Sequence, residues 1–85
     1  MKNPLIQKCI LKVLSRLDDV YLREETLAAE VEIAIDRPLK TTEFADELEE
    51  LKRLECIEKD ATILGDPMWH ITGKGKLALR EGARA

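Results

Sequence analysis

The stretch "MWHITGKGKLAL", residues 68–79, changes its hydrophobic period half-way along. Trp69 and Ile71 fall on one face of an extended segment, because side chains alternate between the two faces of a strand. Thr72 follows at a position suited to capping a helix, and the residues after it form a short apolar segment weakened by glycine. The stretch therefore predicts a strand that leads directly into a C-terminal helix, with Leu77 and Leu79 as its apolar residues.

A second β-prone segment lies just before this strand. The turn signal Gly65-Asp66-Pro67 separates the two segments, and Ile57 and Ala61 fall on one face at even spacing. Together they predict a hairpin from about Cys56 to Thr72. A shorter β-prone fragment, Val20–Leu22, lies further upstream.

Three helices are predicted before the hairpin. In the first, Asn3 and Pro4 suit the cap and the first turn, and apolar residues recur at three- and four-residue spacing until Asp18-Asp19. The second covers residues 23–35, and its inward residues are Leu27, Ala28, Val31, Ala34 and Ile35. The third is capped by Thr41, and its inward residues are Phe44, Leu48, Leu51 and Leu54.

Length and composition narrow the class of protein. Eighty-five residues predict one domain, 1–85, with 45% apolar and 36% charged residues as in an ordinary soluble protein. No segment approaches the roughly 20 apolar residues of a membrane span, and Lys8 and Lys12 interrupt the apolar N-terminal segment. We therefore expect a cytoplasmic protein without membrane contact, in which Cys9 and Cys56 are reduced core thiols.

The order helix, strand fragment, helix, helix, hairpin, helix resembles the winged helix-turn-helix domain. That α+β fold has a three-helix core, a β-hairpin wing and here a short C-terminal helix. The aromatic Trp69 and the I-T-x-x-G-x-x-x-L step from Ile71 to Leu79 resemble the corresponding stretch of MarR- and PadR-like regulators. The resemblance implies that the third helix enters the major groove of DNA and that the wing touches the backbone or the minor groove.

The third helix, however, is strongly acidic. Its outward face consists of Thr42, Asp46, Glu49 and Arg53, flanked by Glu43 and Glu50. Phosphate is bound mainly by cations and amides, so these acids disfavour DNA, and the wing tip at residues 65–67 offers no cation. We expect only weak DNA binding through this face and a basic protein partner instead. A merely solvated surface with a Glu49–Arg53 pair is the other interpretation.

Charge is segregated along the chain, whose net charge is −3. Residues 1–17 hold four bases and no acid, residues 18–60 fifteen acids and six bases, and residues 61–85 four bases and two acids. If the two ends pack together, they could form one nucleic-acid-binding patch from Lys8, Lys12, Lys74, Lys76 and Arg80. Scattered solubilising charges are the alternative.

Leu11 lies nearly opposite the centre of the apolar stripe of the first helix. Single exposed leucines are normal, but a homodimer contact is the sharper hypothesis for this one. Such a dimer fits the alternative function, a small dimeric DNA-binding regulator that acts through its basic ends or through a few residues at the start of the third helix.

Enzymatic chemistry has little basis in this sequence. His70 is the only histidine and Ser15 the only serine, so a Ser-His-Asp set is not expected. The two cysteines and His70 lack zinc-ligand spacing, and no phosphate-binding glycine loop is present, so we expect no metal and no cofactor. The sequence favours a non-enzymatic module that offers its third helix to a protein, with DNA binding through the terminal helices as the alternative.

Overall fold

The structure is a computed structural model, and it describes residues 3–16, 21–61 and 65–84. The elements of these ranges follow one another as α1 (Pro4–Arg16), β1 (Leu22–Arg23), α2 (Glu24–Ile35), α3 (Thr41–Arg53), β2 (Ile57–Ala61), β3 (Pro67–Ile71) and α4 (Gly73–Arg84). Their order is the predicted one, although Arg23 belongs to β1 and not to the second helix. Across these ranges, no helix is both long and apolar enough to cross a membrane. The predicted end of α1 at Asp18-Asp19, and Val20, lie outside the described residues.

Helix α1 is packed against four other elements: α2, α3, α4 and β3. Its start is capped as predicted, since the N–H of Leu5 donates to Asn3 Oδ1 at 3.1 Å. Its buried residues are Ile6, Cys9, Ile10, Leu11, Val13 and Leu14. At about 100° per residue they cover an arc of roughly 200° around the helix. So wide an arc needs several partners, which is why the neighbours of α1 lie on more than one side.

Leu11 is therefore not a surface residue. The predicted exposure is wrong, because only 5% of Leu11 is accessible to solvent and it belongs to the hydrophobic core. The prediction assumed a single buried stripe, whereas α1 is covered over more than half of its circumference. A dimer contact through Leu11 has no basis in this packing.

The sheet has the strand order β1-β3-β2 and is antiparallel throughout. Its β2–β3 register runs from Ile57 opposite Ile71 to Ala61 opposite Pro67, which confirms the predicted hairpin. The other pairing places Leu22 of β1 opposite Trp69. As the longer edge strand, β2 exposes three charged residues in succession, Glu58, Lys59 and Asp60.

Trp69 ties the sheet to the helices. The residue is 1% exposed, as is Ile71, so the predicted inward face of this strand is confirmed. Trp69 Nε1 donates to Glu24 Oε1 of α2 at 2.9 Å, which satisfies the polar edge of the buried indole. Lys59 Nζ lies 5.7 Å from the centre of the ring and adds a cation–π contact from the exposed strand.

A short turn links α2 to α3. Asp36 ends α2 in the left-handed region, with φ 59°, and Leu39 N–H then donates to Glu32 Oε2 at 2.7 Å. The N-cap of α3 is Lys40 and makes no side-chain capping bond, so the predicted cap at Thr41 is wrong. Ala34, predicted to face inward, is exposed, whereas Leu27 and Val31 are fully buried.

The start of α4 is held against the α3–β2 turn. Thr72 Oγ1 accepts from the Gly75 N–H at 3.0 Å, which confirms the predicted cap, and donates to the Glu55 carbonyl oxygen at 2.7 Å. Gly75 itself has no room for a side chain. A Cβ there would lie 2.1 Å from the Cys56 carbonyl oxygen and 2.8 Å from Ile71 Cγ1. The absence of a side chain at Gly75 thus allows the first turn of α4 to pack closely against Cys56 and Ile71.

Gly75→Ala should lower the free energy of unfolding by about 1–3 kcal/mol, because the added methyl meets a backbone carbonyl that cannot rotate away. The matched control is Gly73→Ala in the same helical turn, where a Cβ meets nothing within 4 Å. The control should be neutral or stabilising by up to about 1 kcal/mol. Urea unfolding followed by circular dichroism measures both. Equal stabilities for the two variants would contradict this packing.

Candidate nucleic-acid interface

The outward face of α3 contains the residues predicted from the sequence. Thr42, Asp46, Glu49 and Arg53 are all exposed. The opposite face is buried through Phe44, Leu48 and Leu51, with 5%, 1% and 2% of each residue accessible. Leu54, predicted to be buried with them, is the C-cap and is 38% exposed. The helix therefore presents one polar stripe along its whole length.

One acid of α3 is not on the surface at all. Glu47 is 1% exposed and accepts a hydrogen bond from Gln7 Nε2 of α1 at 2.9 Å. Its other oxygen, Oε2, is buried without a hydrogen-bond partner in the described part of the chain. Glu47 comes three residues after Phe44 and four before Leu51, so helical spacing places it on the buried stripe. That spacing was the signal that the sequence-based prediction missed.

A second acid, Glu43, is paired with the cation just before the helix. Arg37 donates to Glu43 Oε2 at 3.1 Å and to Oε1 at 3.3 Å, and also to the Pro38 carbonyl oxygen at 3.1 Å. The hydrogen bond from Arg37 is the main cause that holds the pKa of Glu43 below its usual value. Glu43 is therefore ionised at neutral pH, and its charge is offset locally.

A third acid, Glu50, is paired near the end of the helix. Arg53 donates to both of its carboxylate oxygens, and this hydrogen bonding is the main cause of the raised pKa of Arg53. The predicted Glu49–Arg53 pair is wrong, because the guanidinium turns to the residue three positions away and not four. Within the described ranges, Asp46 and Glu49 have no ion pair or hydrogen-bonding partner.

Cations stand at both ends of α3. Lys40 precedes the first turn and is exposed, and Lys52 and Arg53 lie exposed in the last turn. An open cleft at the start of the helix is lined by Asn3, Arg37, Pro38, Leu39, Lys40, Thr42, Glu43 and Asp46. Cations therefore lie near both ends of α3, although the Arg53 guanidinium is already paired with Glu50, and Asp46 and Glu49 lie between these ends.

The five predicted cations of the terminal helices do not share one environment. Lys12, Lys74 and Arg80 are exposed, whereas Lys8 and Lys76 are half-buried. Helices α1 and α4 do pack together. However, Lys74 shares a cleft with Lys52 at the end of α3, where its Nζ lies 4.0 Å from Glu55 Oε2. Lys12 instead lines an apolar groove with Leu79 and Arg16.

The wing also departs from the sequence-based picture. Arg23 Nη2 lies 3.9 Å from Asp66 Oδ2, so a cation stands beside the wing tip after all. Tyr21 stacks on His70 with their ring centres 4.8 Å apart, and its hydroxyl donates to Glu58 Oε2 at 3.3 Å. Burial, and then the charge of Glu58, raise the pKa of Tyr21. These contacts depend on β1 joining the sheet, which no local sequence signal specifies.

No family model matches the sequence, and no curated protein matches it either. Solved structures do match its fold. A winged-helix DNA-binding protein from STIV superposes with a TM-score of 0.82 at 18% identity, over 99% of this chain and 89% of the other. The fold is a winged helix-turn-helix. In this fold, α2 and α3 form the helix-turn-helix pair, and the β2–β3 hairpin forms the wing.

Two larger winged-helix structures show the same likeness. Bacillus subtilis PadR in complex with operator DNA has a TM-score of 0.77 at 20% identity over 98% of this chain. A MarR-family transcriptional regulator from Silicibacter pomeroyi has a TM-score of 0.76 at 14% identity over 91% of it. The chain spans about half the length of these two, 48% and 47% respectively. At such identities the likeness establishes the fold alone.

The Gln7–Glu47 bond fixes α3 on α1, and its loss should be costly. Gln7→Leu removes the hydrogen bond that Gln7 donates to the buried Glu47 carboxylate and should reduce stability by about 1–3 kcal/mol. The double variant Gln7→Leu/Glu47→Leu should recover much of this loss, because it leaves no buried polar group unpaired. Urea unfolding of both variants is the measurement. A single variant as stable as the unmodified protein would show that this contact does not hold α3 in place.

Proposed function

We propose that this protein is a DNA-binding transcriptional regulator that places α3 in the major groove. The observation that carries the proposal is the charge arrangement of α3, with cations at its ends and most of its acids neutralised or buried. The fold supports it by analogy, since the similar solved structures include a DNA-binding protein and an operator complex.

The acids of α3 repel phosphate less than their number suggests. Five acids within one helix predict repulsion of phosphate, but only Asp46 and Glu49 remain both exposed and unpaired in the described structure. Glu47 faces α1, and Arg37 and Arg53 offset their partners Glu43 and Glu50. An offset carboxylate exerts only a weak field on a phosphate beyond it, because the pair acts as a dipole that salt screens further.

Phosphate contacts are proposed at the two ends of the reading helix. Lys40 stands at the start, and Lys52 and Lys74 share the cleft at its end. Arg23 of β1 is the corresponding cation beside the wing tip, where it lies near Asp66. Lys8, Lys12, Lys76 and Arg80 form the alternative surface, on the terminal helices.

Duplex DNA should bind with an affinity that falls as salt rises. Lys52→Gln and Lys74→Gln should each make the negative slope of log affinity against log salt shallower by about 0.9, the value for one lost phosphate contact. Lys12→Gln is the matched control, since it removes the same charge from an exposed site on α1. Fluorescence anisotropy with a labelled duplex over a salt series measures all three.

Comparing the variants shows whether DNA binds at the ends of α3 or on the terminal helices. If Lys12→Gln makes the salt dependence of binding shallower while Lys52→Gln does not, DNA lies on the terminal helices and α3 is not the reading helix. If the unmodified protein binds no duplex even at low salt, the proposed function is rejected.

A basic protein partner for α3 is the second candidate function. The carboxylates of Asp46 and Glu49, which have no partner among the described residues, are the observation in its favour, because complementary charge attracts a cationic surface.

A homodimer is also proposed, with its contact at Leu5 and Leu77 and not at the buried Leu11. Leu5 of α1 and Leu77 of α4 are 60% and 51% exposed. If this contact forms the dimer, Leu77→Glu should sediment as a monomer and the unmodified protein as a dimer. Equal sedimentation of the two proteins would contradict the proposal.

A further inference from the structure

Asp46 and Glu49 occupy a particular place on α3. Every other acid of the helix is buried or paired, whereas these two are exposed and have no partner in the described ranges. Both lie in the middle of the exposed stripe. They are three residues apart and therefore face the same way. Thr42 and Arg53 continue the stripe towards the two ends.

The length of α3 and the spacing of its charges can be compared with the major groove of DNA. From Lys40 to Arg53 the axis is about 20 Å long, and Asp46 and Glu49 are about 4.5 Å apart along it. The major groove is about 12 Å wide. A helix seated in the groove at an incline brings its two ends near the phosphate strands and its middle over the edges of the bases. The cations then meet phosphate and the two carboxylates meet base pairs.

A carboxylate in the major groove can only accept hydrogen bonds. Cytosine offers only a donor, its N4 amino group, whereas adenine sets its N6 amino group beside the acceptor N7. Guanine presents N7 and O6 and thymine presents O4, all acceptors. A carboxylate placed opposite an acceptor has lost its water and gained a repulsive neighbour. Such a residue contributes little affinity, but it rejects unsuitable sequences strongly.

We propose that Asp46 and Glu49 are specificity-determining residues that accept hydrogen bonds from cytosine amino groups of neighbouring base pairs. The proposal rests on the proposed function, since it assigns the sequence preference of the same interface. Its distinctive feature is that the two acids lower affinity for DNA in general while selecting one class of site.

The experiment is selection of bound duplexes from a randomised pool, followed by anisotropy on the selected site. The variants are Asp46→Asn and Glu49→Gln, and the matched control is Glu81→Gln, an exposed acid of α4. Unmodified protein should enrich cytosine at two neighbouring positions. Replacing either cytosine by thymine should weaken binding by about tenfold or more.

Each variant should relax the preference at one position and leave the other intact. At the same time its affinity for random duplex should rise, because one repulsive charge is gone. Glu81→Gln should keep the preference of the unmodified protein. Circular dichroism and melting temperature confirm that the variants fold, as expected for exposed positions.

Two results would overturn the inference, and they differ. If the variants keep the original base preference and only bind all DNA more tightly, the two acids merely repel and the proposed function survives. If no variant binds duplex DNA but the unmodified protein binds an oligolysine peptide and Asp46→Asn and Glu49→Gln weaken that binding, α3 recognises a basic protein. In that case both the inference and the proposed function fail.

Discussion

The wide apolar arc of α1 is the constraint on which the rest of the structure depends. A helix that buries residues from Ile6 to Leu14 over about 200° cannot be covered by one partner. Helices α2, α3 and α4 and the strand β3 must all meet it. The orientation of α3 follows from this packing, because Phe44 and Leu48 reach the core only when Asp46 and Glu49 face solvent.

Two polar contacts restrict the positions of elements that apolar packing brings together. Gln7 holds Glu47 at the α1–α3 contact, and Trp69 holds Glu24 at the contact between sheet and α2. Both are hydrogen bonds between side chains about forty residues apart in the chain. They therefore restrict how the elements slide over one another, which undirected apolar contacts alone do less well. The exposed stripe of α3 is held in position by this restriction.

Local patterns predicted much of the fold. The alternation of side chains along a strand correctly predicted that Trp69 and Ile71 face inward. The residue types at positions 3 and 72 correctly predicted the helix caps at Asn3 and Thr72. The errors arose where the answer depends on distant neighbours. Leu11 is buried because several elements surround α1, and Arg23 lies by the wing tip because β1 pairs with β3. The candidate site was predicted as a face, but not the pairing of its charges, because helical geometry allows Arg53 to reach either Glu49 or Glu50.

The charged edge of the sheet has a consequence for behaviour at high concentration. Among the described residues, β2 pairs with β3 alone, so the backbone groups on its outer side are a template for another chain. Glu58, Lys59 and Asp60 stand in succession along that edge. A second copy in antiparallel register would have to desolvate these charges to add its own strand. The wing is thus protected from the edge-to-edge growth that leads to fibrils.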